Sequence, residues 1–315
     1  MRHISATLKP MIAVEHLRKR YRDTTAVDDI SFTVQTGKVT GFLGPNGAGK
    51  STTMRLMLGL DQGEGQTTYD NKPLHAYEQP SKVVGILLDA KAFHPTRLAR
   101  RHLRVLAAAG SIPDSRVDEV LEMVGLTSVA KKTPGKFSLG MSQRLGLAAA
   151  ILGNPKYLIL DEPANGLDPE GIVWLREFLK KYADQGNAVF VSSHLLSEIA
   201  LMADNVVVIG RGKVIANTSI SELTGGSGHA SVFVRATKMS QLERLLKEES
   251  LEYSKSDNGF KVIGAQTDQI GKLAFSAGIP ILELAKHTAS LEDVFLDLTE
   301  GSEEYKGKPN KGSKQ

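Results

Sequence analysis

The sequence contains no cysteine. That excludes disulfides and thiolate metal sites and leaves the redox compartment open. It contains no apolar run near the ~20 residues that a bilayer-spanning helix needs; runs such as residues 206–209 are of strand length. The opening residues, MRHISATLKP, carry a little positive charge with no apolar core behind them, unlike a secretory signal. No solenoid-type repeat and no sustained heptad is present. The chain is therefore expected to be cytoplasmic, with any membrane association running through another protein.

What is present is ordinary globular material. The 315 residues are 41% hydrophobic and 23% charged, enough for about two domains of ~150 residues each. A net charge of +4 raises the question of nucleic acid. Lysine and arginine, however, are spread over helical faces, and only residues 305–315 are basic, with four lysines and no acid. A short polar tail of that kind reads as disordered, and no nucleic-acid partner is expected.

Residues 39–43, 157–160, 188–191 and 206–209 are short apolar runs bounded by polar residues or glycine, as in strands buried on both faces of a parallel sheet. Residues 172–182 read as a helix between two of them, which favours a doubly wound α/β fold. From about 94 to 135 only helical patterns occur. There Asp114 is placed to cap a helix with Val117, Val120, Leu121 and Val124 on one face and Gly125 at its end. Three glycines within residues 224–228 mark a linker. The expected organisation is a first domain over 11–223, a linker over 224–229, a small α/β domain over 230–299 and a polar basic tail over 300–315. The last helix is signalled by a capping box of Ser290 and Asp293 before the apolar face Leu291, Val294, Phe295 and Leu298.

Gly44, Pro45, Asn46, Gly47, Ala48, Gly49, Lys50 and Ser51 fit the spacing G-x-x-x-x-G-K-[ST] between an apolar strand and a helix over about 51–58. Glycines let the backbone N–H groups turn inward around phosphate oxygens, and the helix N-terminus adds its positive dipole end. Lys50 reaches the outer phosphates, and the Ser51 hydroxyl is a ligand for Mg²⁺. Downstream, a buried strand ends in Asp161 and Glu162. Two carboxylates at the C-terminal edge of a parallel strand are costly unless paired or metal-bound. Asp161 is placed to hold Mg²⁺, and Glu162 is a candidate base for water attacking the γ-phosphate.

These motifs, in this order, resemble the nucleotide-binding domain of ABC transporters over about 11–223, a P-loop NTPase with a parallel-sheet core, an antiparallel β part and an α-helical subdomain at about 90–137. The resemblance implies an ATPase that binds ATP and Mg²⁺. It implies that Tyr21 stacks on adenine, that Thr52 joins the phosphate-binding set, and that His194 is the switch histidine. Ser138, Leu139, Gly140 and Met141 match the family signature, with Ser138 and Gly140 retained and Leu139 and Met141 departing from its usual L-S-G-G-Q. Asn165, Gly166, Leu167 and Asp168 match the D-loop. Asp89 stands where the family usually has a glutamine that reaches the metal, so a role in catalysis and metal binding passes to it. In the family the signature acts on ATP held by a second copy, so the partners implied are another ATPase subunit, in a homodimer, and a membrane-spanning permease chain at the cytoplasmic face of the membrane. Asp89, the leucine-bearing signature and the C-terminal extension resemble the branch that exports drugs, antibiotics or antimicrobial peptides. The alternatives are a soluble ABC-type ATPase acting on ribosomes or DNA, and an importer subunit.

Overall fold

The computed structural model describes residues 11–225, 231–256, 258–287 and 291–299. Contacts divide the chain into two units between Asn217 and Thr218. That is earlier than Leu223, the end expected from the glycine-rich stretch. The physical reason is a capping box: Ser219 Oγ accepts from the Glu222 N–H, Glu222 Oε2 accepts from the Ser219 N–H, and the Thr218 hydroxyl donates to the same carboxylate. These bonds tie Thr218 and Ser219 to the helix that follows.

The first unit opens with β1 (Met11–Tyr21), β2 (Thr24–Gln35), β3 (Lys38–Leu43), α1 (Lys50–Met57), β4 (Glu64–Tyr69) and β5 (Val84–Leu87). A helical stretch follows: α2 (Ala99–Ala109), α3 (Ser115–Met123) and α4 (Leu139–Ile151). The unit closes with β6 (Tyr157–Leu160), α5 (Pro169–Asp184), β7 (Ala188–Ser192), α6 (Leu196–Met202), β8 (Asn205–Gly210) and β9 (Lys213–Ser219), whose last residues cross the division. Strands β2-β1-β4 form an antiparallel sheet, and a six-stranded sheet runs β5-β6-β7-β3-β8-β9. The pairings β5–β6, β6–β7, β7–β3 and β3–β8 are parallel. Every residue of β6 and β7 is buried, which is why their sequences run apolar without alternation. Phe32 of β2 stacks on Phe190 of β7 at 5.3 Å between ring centroids, and Phe42 of β3 lies 4.9 Å from Phe190, so aromatic packing joins the two sheets.

The α3 face is as expected, with Val117, Val120, Leu121 and Val124 buried and Gly125 at positive φ beyond the helix end. The Asp114 cap does not form. Asp114 has helical φ/ψ and makes no side-chain cap bond, because its carboxylate is bound by both arms of the Arg104 guanidinium. A bidentate charged pair outcompetes a single N–H.

The second unit, Thr218–Leu298, contains α7 (Ile220–Gly225), β10 (Ser231–Ala236), α8 (Met239–Glu248), β11 (Tyr253–Ser256), β12 (Gly259–Ile263), α9 (Thr267–Ser276), β13 (Ile281–His287) and all but the last residue of α10 (Leu291–Thr299). Its antiparallel sheet runs β11-β12-β10-β13. Val232 and Val234 of β10 and Phe260 and Val262 of β12 pack with Leu242 and Leu246 of α8 and Ile270 and Ala274 of α9. Leu291 and Val294 of α10 are buried. The capping box of Ser290 and Asp293, most of the linker and the tail over 300–315 lie outside the described residues.

Candidate nucleotide site

Parallel order sends the C-terminal ends of β3, β5, β6 and β7 to one edge of the sheet, and the chemistry-bearing residues follow those ends. The loop after β3 turns into α1 through Gly49, whose φ is +103°. A Cβ built there would stand 2.3 Å from the Ala26 carbonyl oxygen. Only glycine meets both conditions. Gly49→Ala is therefore expected to destabilise the protein by about 1–3 kcal/mol, read as a lower thermal midpoint, and to weaken nucleotide binding with it.

Lys50 is 8% exposed. Its ammonium donates to the carbonyls of Gly44 at 2.7 Å and Pro45 at 3.3 Å. Burial pulls its pKa below the ordinary lysine range, against the opposing pull of the Glu162 and Asp161 charges. Ser51 donates to Asp161 Oδ2 at 2.6 Å. The other Asp161 oxygen accepts from the Ser192 hydroxyl, and Ser192 Oγ accepts in turn from the Glu162 N–H at 2.9 Å. Glu162 has φ +50°, an uncommon conformation for a residue with a side chain and one that costs of order 1–3 kcal/mol. Its carbonyl accepts from Gln143 Nε2 at 3.2 Å. Its Oε2 is bonded to His194 Nδ1 at 2.7 Å and accepts the His194 N–H at 3.2 Å.

A cavity of about 540 Å³ collects Asn46, Gly47, Gly49, Lys50, Ser51 and Thr52 of the loop with Asp89, Asp161 and Glu162. Asp89 sits on its wall, but Asp89 Oδ1 accepts the Lys91 N–H at 2.8 Å and so caps the following turn as well. Tyr21, Ser138, Gly140, Asp168 and His194 do not line this cavity. Tyr21 is 47% exposed, donates to Asp61 Oδ2 at 3.0 Å, and has the Lys19 ammonium 4.8 Å from its ring centroid. The Ser138 hydroxyl accepts from the Met141 N–H and starts α4. Asp168 Oδ1 accepts from the Gly171 N–H and caps α5. A Cβ on Gly140 would lie 2.9 Å from the Gly166 carbonyl oxygen, so signature and D-loop are in close approach.

Sequence reasoning missed Ser192, and it placed Gln143 after the signature without its bond to Glu162. Ser192 had a signal: β6 and β7 pair in parallel with Leu160 opposite Val191, so the residue after each strand-end pair brings Asp161 beside Ser192. Gln143 was marked by its place just after the signature, and its bond to Glu162 depends on the packing of α4.

The site fits a magnesium nucleotide. The Ser51 hydroxyl and the Asp161 carboxylate place two hard oxygens side by side, and a buried cation stands over a glycine-bounded cradle. Among the described residues no group of three or more His, Cys, Asp or Glu is arranged to hold a metal, so a divalent ion here would share oxygens of the nucleotide. A larger cavity of about 730 Å³, bounded by β5, α2 and α4, is mostly apolar. It contains no residue of the 44–52 loop and no catalytic pair, so volume alone does not mark the chemistry.

A family model described as ABC transporter matches residues 27–165, and one described as a domain of unknown function matches residues 230–292. The chain is 36% identical over 296 residues to the uncharacterized ABC transporter ATP-binding protein YhcH of Bacillus subtilis (strain 168), covering 93% of this chain and 97% of that protein. It is 35% identical over 309 residues to the bacitracin transport ATP-binding protein BcrA of Bacillus licheniformis, covering 93% and 99%. Among solved structures, cbiO1 from Clostridium perfringens, part of the ABC transporter complex cbiONQ, matches with a TM-score of 0.60 at 28% identity, covering 70% of this chain and 92% of that one. No described helix is long and apolar enough to cross a membrane.

Proposed function

Because the chain belongs to the ABC transporter ATP-binding family, whose members hydrolyse ATP, it is the ATP-binding subunit of a transporter, and we propose that the cavity around Lys50 and Glu162 is its hydrolytic site and that its transporter exports an antibiotic or antimicrobial peptide. The observation that carries the site is the unbroken hydrogen-bond chain Ser51–Asp161–Ser192–Glu162–His194. It locks the phosphate loop to the ends of β6 and β7. The cargo reading rests on the resemblance to the bacitracin transport protein across nearly the whole of both chains.

The residues divide the work. The loop N–H groups, Lys50 and Thr52 bind the phosphates, and Tyr21 takes the adenine. Ser51 and Asp161 hold Mg²⁺, which when bound offsets the charge developing on the phosphate oxygens. Glu162 accepts the proton of the attacking water at a carboxylate oxygen. His194 orients that carboxylate through its two bonds to Oε2. Asp89 would act on the metal through its negative charge at the cavity wall, with Oδ1 accepting from the Lys91 N–H. Asp89→Asn keeps that cap and removes the charge, so it is expected to raise the Mg²⁺ concentration for half-maximal ATPase by about two- to fivefold. A superimposable titration would remove Asp89 from the metal's surroundings.

Ser138, Gly140 and Asp168 serve the ATP of a second copy; these three do not line the chain's own cavity, although their neighbours Leu139 and Asn165 do. Two copies then enclose two nucleotides, beside a permease at the cytoplasmic face of the membrane. The test is complementation. Mixing Ser138→Arg with Lys50→Ala chains leaves at most one site with two intact halves, so the mixture is expected to keep no more than about half the wild-type rate. Full wild-type turnover in the mixture would refute action in trans.

A further inference from the structure

The chain's basic residues look dispersed along the sequence, but the fold collects part of them. Residues 90–113 contain no Asp or Glu and five Lys or Arg, and residues 123–160 contain no Asp or Glu and again five. Three backbone bonds lay these two stretches against each other: Ala99 N–H to the Lys132 carbonyl at 3.0 Å, Arg100 N–H to the Ala130 carbonyl at 2.9 Å, and Gly135 N–H to the Pro95 carbonyl at 3.1 Å. Arg97, Arg101 and Lys131 thereby line adjoining grooves, Lys132 and Lys136 are exposed in the same stretch, and none of the five is ion-paired among the described residues. Arg100 and Arg104 are neutralised by Asp118 and Asp114; no such partner reaches the other five.

Two further features mark this face. Cations occupy the first turn of α2, where a helix favours acids, and no acid is present there. Arg101 thus stands at the wrong end of the helix dipole with no carboxylate partner among the described residues, an arrangement that an external anion relieves. Apolar side chains are also interleaved with the cations. Leu98 is 40% and Val105 46% exposed, and with Arg101 they line two adjoining shallow grooves.

We infer that this face of the α2 and 130–136 region rests on an anionic phospholipid bilayer. Exposed cations interleaved with exposed aliphatic side chains, on two stretches of sequence that themselves contain no Asp or Glu, are complementary to a layer of negative headgroups over hydrocarbon. The contact is separate from the nucleotide cavity, which contains none of these residues. The apolar side chains enter the headgroup boundary while the arginines and lysines stay among the phosphates. The contact holds the ATPase at the membrane independently of its permease.

Flotation of the purified full-length chain with vesicles tests this. Binding is expected to vesicles of phosphatidylcholine mixed with phosphatidylglycerol, with none to phosphatidylcholine alone and loss at high salt. Arg101→Ala, Lys131→Ala and Lys132→Ala combined is expected to reduce binding at least about tenfold with ATPase activity and thermal midpoint unchanged. The corresponding variant with Arg101→Lys alone is expected to bind like wild type, since charge rather than guanidinium geometry is read. Failure of the wild-type chain to float, or undiminished flotation of the triple variant, would overturn the inference. So would loss of permease co-purification in the triple variant without loss of flotation, which would make the face a protein interface. Each outcome is independent of whether the cavity hydrolyses ATP.

Discussion

Glu162→Gln is expected to slow ATP hydrolysis by about 10²- to 10⁴-fold while leaving ATP binding near the wild-type level. The amide keeps an oxygen that accepts from His194 and keeps the volume of the side chain, so the bonds of the Glu162 backbone to Ser192 and Gln143 persist. What it loses is a carboxylate able to take a proton. Phosphate release and equilibrium nucleotide binding measured on the same preparation separate the two effects. A complex that binds ATP and does not cleave it is also expected to accumulate as a dimer in gel filtration. Turnover within a few-fold of wild type would assign the base elsewhere.

Lys50→Ala acts one step earlier. The ammonium is buried, held by two loop carbonyls, and depressed in pKa by that burial. It is a charge kept in a desolvated place, where its bonds to phosphate oxygens count most. Charge-assisted hydrogen bonds of this type contribute about 1.5–3 kcal/mol, which converts to a Kd raised by about 10- to 100-fold. The loss in turnover is expected to be larger still, because the γ-phosphate gains charge as it transfers. Calorimetry that finds unchanged affinity would remove Lys50 from the phosphate site.

The phosphate loop was legible because its signal is local. Glycine spacing, a lysine and a hydroxyl within eight residues carry the whole geometry, and the apolar runs that became β3, β6, β7 and β8 flank it and the carboxylates as expected. The family's order of motifs led to His194, and the structure bonds it to Glu162. What the sequence hid depends on pairing between distant segments. Ser192 joins Asp161 to Glu162 only through the parallel register of β6 and β7. The left-handed turn at Glu162 has no glycine to announce it. Asp114 has the composition of a cap and spends its carboxylate on Arg104, a residue of the preceding helix. In the second unit the strands are four to seven residues long. Nothing in their patterns specifies the order β11-β12-β10-β13.

The division of labour between the two cavities decides the account. The 730 Å³ cavity is larger and mostly apolar; the 540 Å³ cavity holds the glycine loop, the cation and the carboxylates. Amide hydrogen exchange of the full chain with and without Mg²⁺ and ATP distinguishes them directly. The expected result is protection of residues 44–52 and of Asp161 and Glu162, which Lys50→Ala shifts to about 10- to 100-fold higher ATP concentration. Protection confined to α2, α4 and β5, with the 44–52 loop exchanging as in the absence of nucleotide, would contradict the assignment of ATP to the Lys50 cavity.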